Sequence, residues 1–131
     1  MTSSLFPVRV YYEDTDFSGN VYHAAYLHFF ERARTEFLRE RGVHHSELMK
    51  IGIAFAVRSM SVEFLAAAHI DDLLEVVTEV TSASPVRLAL KQSILRDGGV
   101  ITEADVLVVA IKTGGGVARL PKDLAARLVI A

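Results

Sequence analysis

Residues 22–41 read YHAAYLHFFERARTEFLRER, and the spacing of their apolar members decides how the rest of the chain must be arranged. Tyr26, Phe30, Ala33 and Phe37 recur at steps of four, three and four, and Leu27, Phe29 and Leu38 widen that stripe. This is the period of an α-helix of about five turns, with Gly42 as its C-terminal stop. Its charged residues, Glu31, Arg32, Arg34, Glu36, Arg39, Glu40 and Arg41, fall mostly in the second half. The first half is apolar on nearly every side and is expected to be deeply buried.

Working outward, Phe6 to Tyr12 is mostly β-branched and aromatic, with Arg9 interrupting it, which predicts a short strand ending in the polar cluster Glu13-Asp14-Thr15-Asp16. Ser18-Gly19-Asn20 marks a turn before the helix, and His44 to Met49 a short helical turn after it. Ala54–Phe64, Leu73–Ser82, Val86–Leu95 and Val100–Ile111 are β-rich runs of strand length. His69-Ile70-Asp71-Asp72, Ser84-Pro85 and Asp97-Gly98-Gly99 separate them, the last suited to a tight hairpin. Connections this short predict antiparallel neighbours. Gly114-Gly115-Gly116 closes the sheet, and Pro121 to Val129 reads as a loosely held terminal helix. A helix that is apolar on most sides has to be enclosed, so the economical arrangement is α+β, a curved five-stranded antiparallel sheet wrapped around one long helix. One domain spanning residues 1–131 is expected, with no repeat and no low-complexity tract.

Composition narrows the functions. Hydrophobic residues make up 51% of the chain and charged residues 23%, a rich apolar content for its length that points to burial against a second subunit or a ligand. A homo-oligomer is expected. Net charge is −2 and no two basic residues are adjacent, so nucleic acid is not an expected partner. Without cysteine there is no disulfide, thiolate metal site or thiol nucleophile. His28, His44, His45 and His69 lack ligand spacing, and no metal is expected. Met1 to Pro7 carries no signal-peptide pattern and no later stretch has the length of a membrane span, so a cytoplasmic protein without a transmembrane segment is expected.

The chemistry concentrates between Val8 and Arg41. The run Val8-Arg9-Val10-Tyr11-Tyr12-Glu13-Asp14-Thr15-Asp16, then Gly19, then Val21-Tyr22-His23, gives the pattern Asp-x-Asp-x-x-Gly-x-Val-x-His, followed by Phe29-Phe30-Glu31-Arg32-Ala33-Arg34-Thr35-Glu36. This pattern resembles the hotdog-fold thioesterases related to 4-hydroxybenzoyl-CoA thioesterase, and within them the acyl-CoA thioesterases of the bacterial Tol-Pal cluster. The likeness continues through residues 57–64, 70–75 and 103–109 and so covers nearly the whole chain. It implies hydrolysis of acyl-CoA or acyl-carrier-protein thioesters without a cofactor, by a dimer or a tetramer built from dimers.

In that family the second Asp of the pair is the catalytic carboxylate, which falls on Asp16. An ionised carboxylate just before a helix can attack a thioester carbonyl or activate water; read without the resemblance, Asp16 is a helix cap or Asx-turn residue. Asp14 reads as a turn residue. The resemblance also assigns to the backbone N–H at His23 a hydrogen bond to the thioester carbonyl, in keeping with the free donors and dipole of a helix start. The His23 imidazole can orient Asp16, act on the leaving thiolate, or simply cap. Gly19 permits close backbone approach, or is simply a turn glycine; Tyr22 and Tyr26 line an acyl pocket or pack in the core with equal weight. Arg58, Arg87, Arg119 and Lys122 are candidates for the coenzyme A phosphates and otherwise solvated charges. Glu31 reads as structural. Two other functions fit the same residues: a hotdog dehydratase using His23 with Asp16, and a non-catalytic acyl-thioester sensor or envelope-associated scaffold.

Overall fold

The long helix forms where the apolar period puts it. A computed structural model of the protein describes residues 3–128, in the order β1 (Ser3–Arg9), a single 3-10 turn (Tyr12–Asp14), α1 (His23–Glu40), α2 (His45–Lys50), β2 (Ile53–Phe64), β3 (Leu73–Ala83), β4 (Arg87–Arg96), β5 (Gly99–Lys112) and α3 (Lys122–Ala126). Helix α1 ends in a Schellman arrangement: Gly42 at φ +73° donates to Arg39 O at 2.9 Å, and Val43 N donates to Leu38 O at 2.9 Å. The Arg41 guanidinium lies over the Phe37 ring and donates to Phe37 O, adding charge at the negative end of the helix. Val129, the expected end of the last helix, lies outside the described residues.

The five strands make one antiparallel sheet in the order β1-β3-β4-β5-β2. The β4–β5 hairpin turns on Asp97 at φ +52° and Gly98 at φ +82°, a two-residue turn whose twist matches its strands. Register shifts at Val57/Ser59, Val80/Ser82 and Ile94/Leu95 curve the sheet. The concave face receives Tyr26, Phe29, Phe30, Ala33, Phe37 and Leu38 of α1 against Leu74, Val76, Leu90, Ile94, Ile101 and Val108, all buried in one cluster. Each of the three phenylalanines is fully buried, contributing roughly 1.5–3 kcal/mol as an upper estimate.

Three expectations need correction. Strand β1 runs three residues earlier than its composition predicts: Val10 leaves the ladder to exchange hydrogen bonds with Asp72 O and Asp71 N, and Tyr11 and Tyr12 enter a tight turn with 61% and 81% of their surfaces exposed. Local turn chemistry overrides the strand propensity of two tyrosines. Second, β2 and β3 are not neighbours. Strand β2 pairs with β5 at the far edge, and residues 65–72 cross the end of the sheet, with Leu65 N and Ala66 N donating to Ile101 O. Third, the first half of α1 is not buried all round. Tyr22 is 49% and Leu27 40% exposed, and His23 and His28 are exposed too, because five strands cover one side of a helix and leave the other open.

A buried polar device fastens α1 to the sheet. Gln92 in β4 is wholly buried; its Nε2 donates to Phe30 O at 3.0 Å and to Thr78 Oγ1 at 2.9 Å, and its Oε1 accepts from Arg34 at 2.8 Å.

Candidate active site

The polar stretch before α1 folds into a small hairpin. Thr15 bridges Val21, Asp16 N donates to Asn20 O at 2.9 Å, and Gly19 N donates to Asp16 O at 3.1 Å. Gly19 sits at φ +84°, a conformation that a β-carbon would strain. At the tip, Ser18 gives two donors to one oxygen of Asp16: its N–H reaches Oδ1 at 2.8 Å, and its hydroxyl makes a short contact to the same atom. These bonds, the hydroxyl first and the amide second, hold the Asp16 carboxyl below its ordinary pKa against a smaller opposing effect of burial. Asp16 is therefore ionised at neutral pH. Its Oδ2 has no hydrogen-bond partner among the described residues. Asp14 behaves differently, because its Oδ2 accepts Tyr11 N–H at 2.9 Å and closes the 3-10 turn.

On the other arm of this hairpin, Tyr22 N donates to Asp14 O at 2.9 Å and starts the helix. Tyr22 occupies the N-cap position without a side-chain capping bond. The amides of His23 and Ala24 consequently have no acceptor among the described residues, and they face outward at the positive end of an eighteen-residue helix. Free amides of this kind are suited to an oxygen that gains negative charge during reaction. The His23 ring is exposed and stands against Tyr22 at 4.4 Å between centroids, with no bond to Asp16.

What holds the hairpin in place was not evident from the sequence. Val21 N donates to Ala68 O at 2.8 Å, Asn20 bridges His69, and Ala68 N donates to the buried Tyr26 hydroxyl at 2.9 Å. The crossing segment is itself clamped by Arg96, which donates to Ala67 O at 2.7 Å and to Asp72 Oδ2 at 3.0 Å. Burial opposes ionisation of Asp72, yet the His69 amide, the Arg96 guanidinium and the His69 ring together hold its carboxyl below the usual value. The only sequence signal for this clamp is the Asp71-Asp72 turn, and Arg96 is separated from it by the length of the β3–β4 hairpin.

A comparison with known protein families matches residues 10–128 to the thioesterase-like superfamily. The chain belongs to that superfamily. It is 49% identical over 114 residues to the acyl-CoA thioester hydrolase YbgC of Escherichia coli, covering 85% of each chain. The acyl-CoA thioesterase YbgC of Haemophilus influenzae is 44% identical over 110 residues, covering 83% of this chain and 81% of the relative. Among solved structures, a probable thioesterase from Bartonella henselae superposes with a TM-score of 0.86 at 40% identity, covering 91% of this chain and 99% of the other. The α+β architecture is the hotdog fold of these thioesterases, with a helix in a curved five-stranded sheet.

Within this thioesterase-like chain the remaining candidate residues are dispersed. Tyr26 is 3% exposed, packs edge-on against Phe29 and Phe64, and spends its hydroxyl on Ala68, so the structure places it in the core. Tyr22 lies at the surface beside His23, and Gly19 lies in the Asp16 turn. Arg58 is exposed at the bulge of β2. Arg87 is exposed at the start of β4, and strand rise puts it on the order of 30 Å from Arg96 at the Asp16 end. Neither arginine is brought to Asp16 within one chain. Arg119 and Lys122 are exposed as well. Glu31 lines a shallow cleft with Arg34, His45, Phe55, Leu90 and Val108, apart from Asp16. Among the described residues no three His, Asp or Glu side chains converge as metal ligands, and no helix is long and apolar enough to cross a membrane.

Proposed function

We propose that the chain hydrolyses acyl-CoA thioesters to the free acid and coenzyme A thiol, with Asp16 as nucleophile or general base and the amides at the start of α1, His23 foremost, polarising the carbonyl. The observation that carries this reading is the pairing, across one hairpin, of a carboxylate with a free Oδ2 and a helix start whose amides are uncapped. Attack on the carbonyl carbon by water or by Oδ2 pushes the carbonyl electrons onto oxygen, where N–H donors stabilise the charge. Collapse breaks the C–S bond, and the thiolate leaves with the electron pair. In the general-base route Asp16 takes the proton of the attacking water and passes it to the departing thiolate; in the nucleophilic route, water then cleaves the acyl-Asp16 anhydride and returns the carboxylate. The sequence relationship to hydrolases named for acyl-CoA supports this substrate class.

Thiol release measured across a panel of acyl-CoAs, acyl-carrier-protein thioesters and an enoyl thioester tests the reading. Rapid release from saturated acyl-CoAs is the expected result. Hydration of the enoyl thioester in its place, or binding without turnover, would overturn it.

The same reading takes a dimer, paired into a tetramer, as the working assembly. Strand β2 supports it: twelve residues at one edge of the sheet carry a backbone side unpaired among the described residues, with Val57 and Phe64 exposed. Edge pairing with a second copy would cover that backbone and the open side of α1, and would let Arg58, Arg87, Tyr22 and Gly19 of two chains share one thioester. Light scattering at assay concentration is expected to give a dimer or larger, whereas an active monomer would refute the shared site. A single-domain protein in the cytoplasm, serving the Tol-Pal envelope system, completes the proposal and rests on the resemblance of residues 8–41.

A further inference from the structure

We propose that Ser18 is a positioning residue for Asp16, holding Oδ1 through its amide and its hydroxyl so that Oδ2 is the oxygen that reacts. The inference rests on the reading of Asp16 as the reacting carboxylate and goes beyond it by assigning roles to the two oxygens.

The hydroxyl is the informative group. Closure of the hairpin is already secured by Asp16 N to Asn20 O, Gly19 N to Asp16 O and the Thr15–Val21 bridge. The Ser18 amide alone completes an Asx turn onto Oδ1. The turn therefore has no need of a second donor, and the effect of the Ser18 hydroxyl bond falls on the carboxylate itself. A carboxylate at an exposed hairpin tip otherwise rotates between rotamers and exchanges its oxygens. Two donors on one oxygen, one of them a hydroxyl making a charge-assisted bond, fix which oxygen faces outward. Fixing it beforehand removes an orientational cost from the reaction.

The same bonds keep the carboxylate ionised into mildly acidic solution. The other ionisable groups around the hairpin are Glu13 and Asp14 on the preceding turn, Tyr22 and His23 at the helix start, and His69 and Asp72 on the crossing segment. None of them makes a hydrogen bond or ion pair with the Asp16 carboxylate among the described residues, so Ser18 is the main group that tunes it, with a smaller lowering effect from the Asn20 backbone amide.

The test uses Ser18→Ala and Ser18→Thr in the full-length protein, with two readouts. Carbon-13 NMR follows titration of the Asp16 carboxyl, assigned by its loss in Asp16→Asn, and the pH profile of kcat/KM follows the acid limb of the reaction. In Ser18→Ala the Asp16 titration is expected to move to higher pH, the acid limb to move with it, and kcat to fall several-fold at nearly constant KM. Ser18→Thr, which keeps a hydroxyl, restores both. An Asp16 titration left unmoved by Ser18→Ala overturns the proposal at Ser18 itself. A titration that moves while the acid limb stays overturns it at the other end, because the limb then belongs to another group and the assignment of Asp16 has failed.

Discussion

Replacing Asp16 with Asn is expected to lower kcat by on the order of a hundredfold or more, with KM and the unfolding temperature changed little. Asparagine keeps a carbonyl oxygen to accept both Ser18 donors, so the hairpin retains its bonds while the negative charge is lost. Loss of fold and loss of chemistry are thereby separated. The paired control is Asp14→Asn, two residues away. Asp14 accepts the Tyr11 amide through Oδ2, and an asparagine oxygen can do the same, so that variant is expected to lose at most about 1 kcal/mol of stability and keep most of its turnover. Single-turnover hydrolysis in oxygen-18 water then divides the two mechanisms: an anhydride leaves label in the Asp16 carboxylate, and direct attack by water does not. A folded Asp16→Asn enzyme with wild-type turnover would rule out both.

The periodicities of the sequence located the elements and stopped short of their partners. Strands β3, β4 and β5 lie within two residues of their expected bounds, because period-two alternation and glycine or proline breakers are local signals. Pairing is not local. The connection after β2 looked like a hairpin by length, yet it contains Ala66-Ala67-Ala68 and no glycine to turn on, and it runs across the sheet end to meet Val21 and Asn20. The tyrosines at 11 and 12 misled for the complementary reason, since their intrinsic preference is for strand and the Asp14 side chain decides the turn.

The candidate site was legible as a motif and only partly as a geometry. Asp16, Gly19 and the start of α1 were expected together and occupy one hairpin. The bonds that position them were not readable. A serine two residues after an aspartate is a common turn composition, and nothing in the letters says that its hydroxyl chooses Oδ1. Tyr26 had two readings of equal weight from its spacing, and its placement turns on a single bond to Ala68, forty-two residues away. The open side of α1 was concealed because an apolar helix half looks the same whether its own sheet or a second chain covers it.

The second large effect is expected from Gln92→Leu, in the middle of β4 and far from Asp16 in sequence. Leucine keeps much of the glutamine volume and deletes three hydrogen bonds, to Phe30 O, to Thr78 Oγ1 and from Arg34. Phe30 O retains its place in the helix ladder and loses little. Thr78, wholly buried, is left with a hydroxyl that water cannot reach, and the half-buried Arg34 loses its only hydrogen-bond acceptor among the described residues. Burial already pulls the Arg34 pKa below its usual value, with Glu31 opposing, so that guanidinium is poorly placed to lose an acceptor. Each of the two orphaned groups costs about 1–3 kcal/mol, and the added apolar contact returns about 1 kcal/mol, leaving a net loss of about 1–5 kcal/mol. Against a total stability of about 5–15 kcal/mol this is severe. Urea unfolding should show it as a lower midpoint with an unchanged slope. Adding Thr78→Val to Gln92→Leu is expected to recover about 1 kcal/mol, because removing both partners of a buried bond costs less than removing one. A midpoint near wild type in Gln92→Leu would mean that the network selects the register of α1 on the sheet and adds nothing to stability. Turnover would then be the measurement that responds, since the amides of His23 and Ala24 ride on the helix that Gln92 holds.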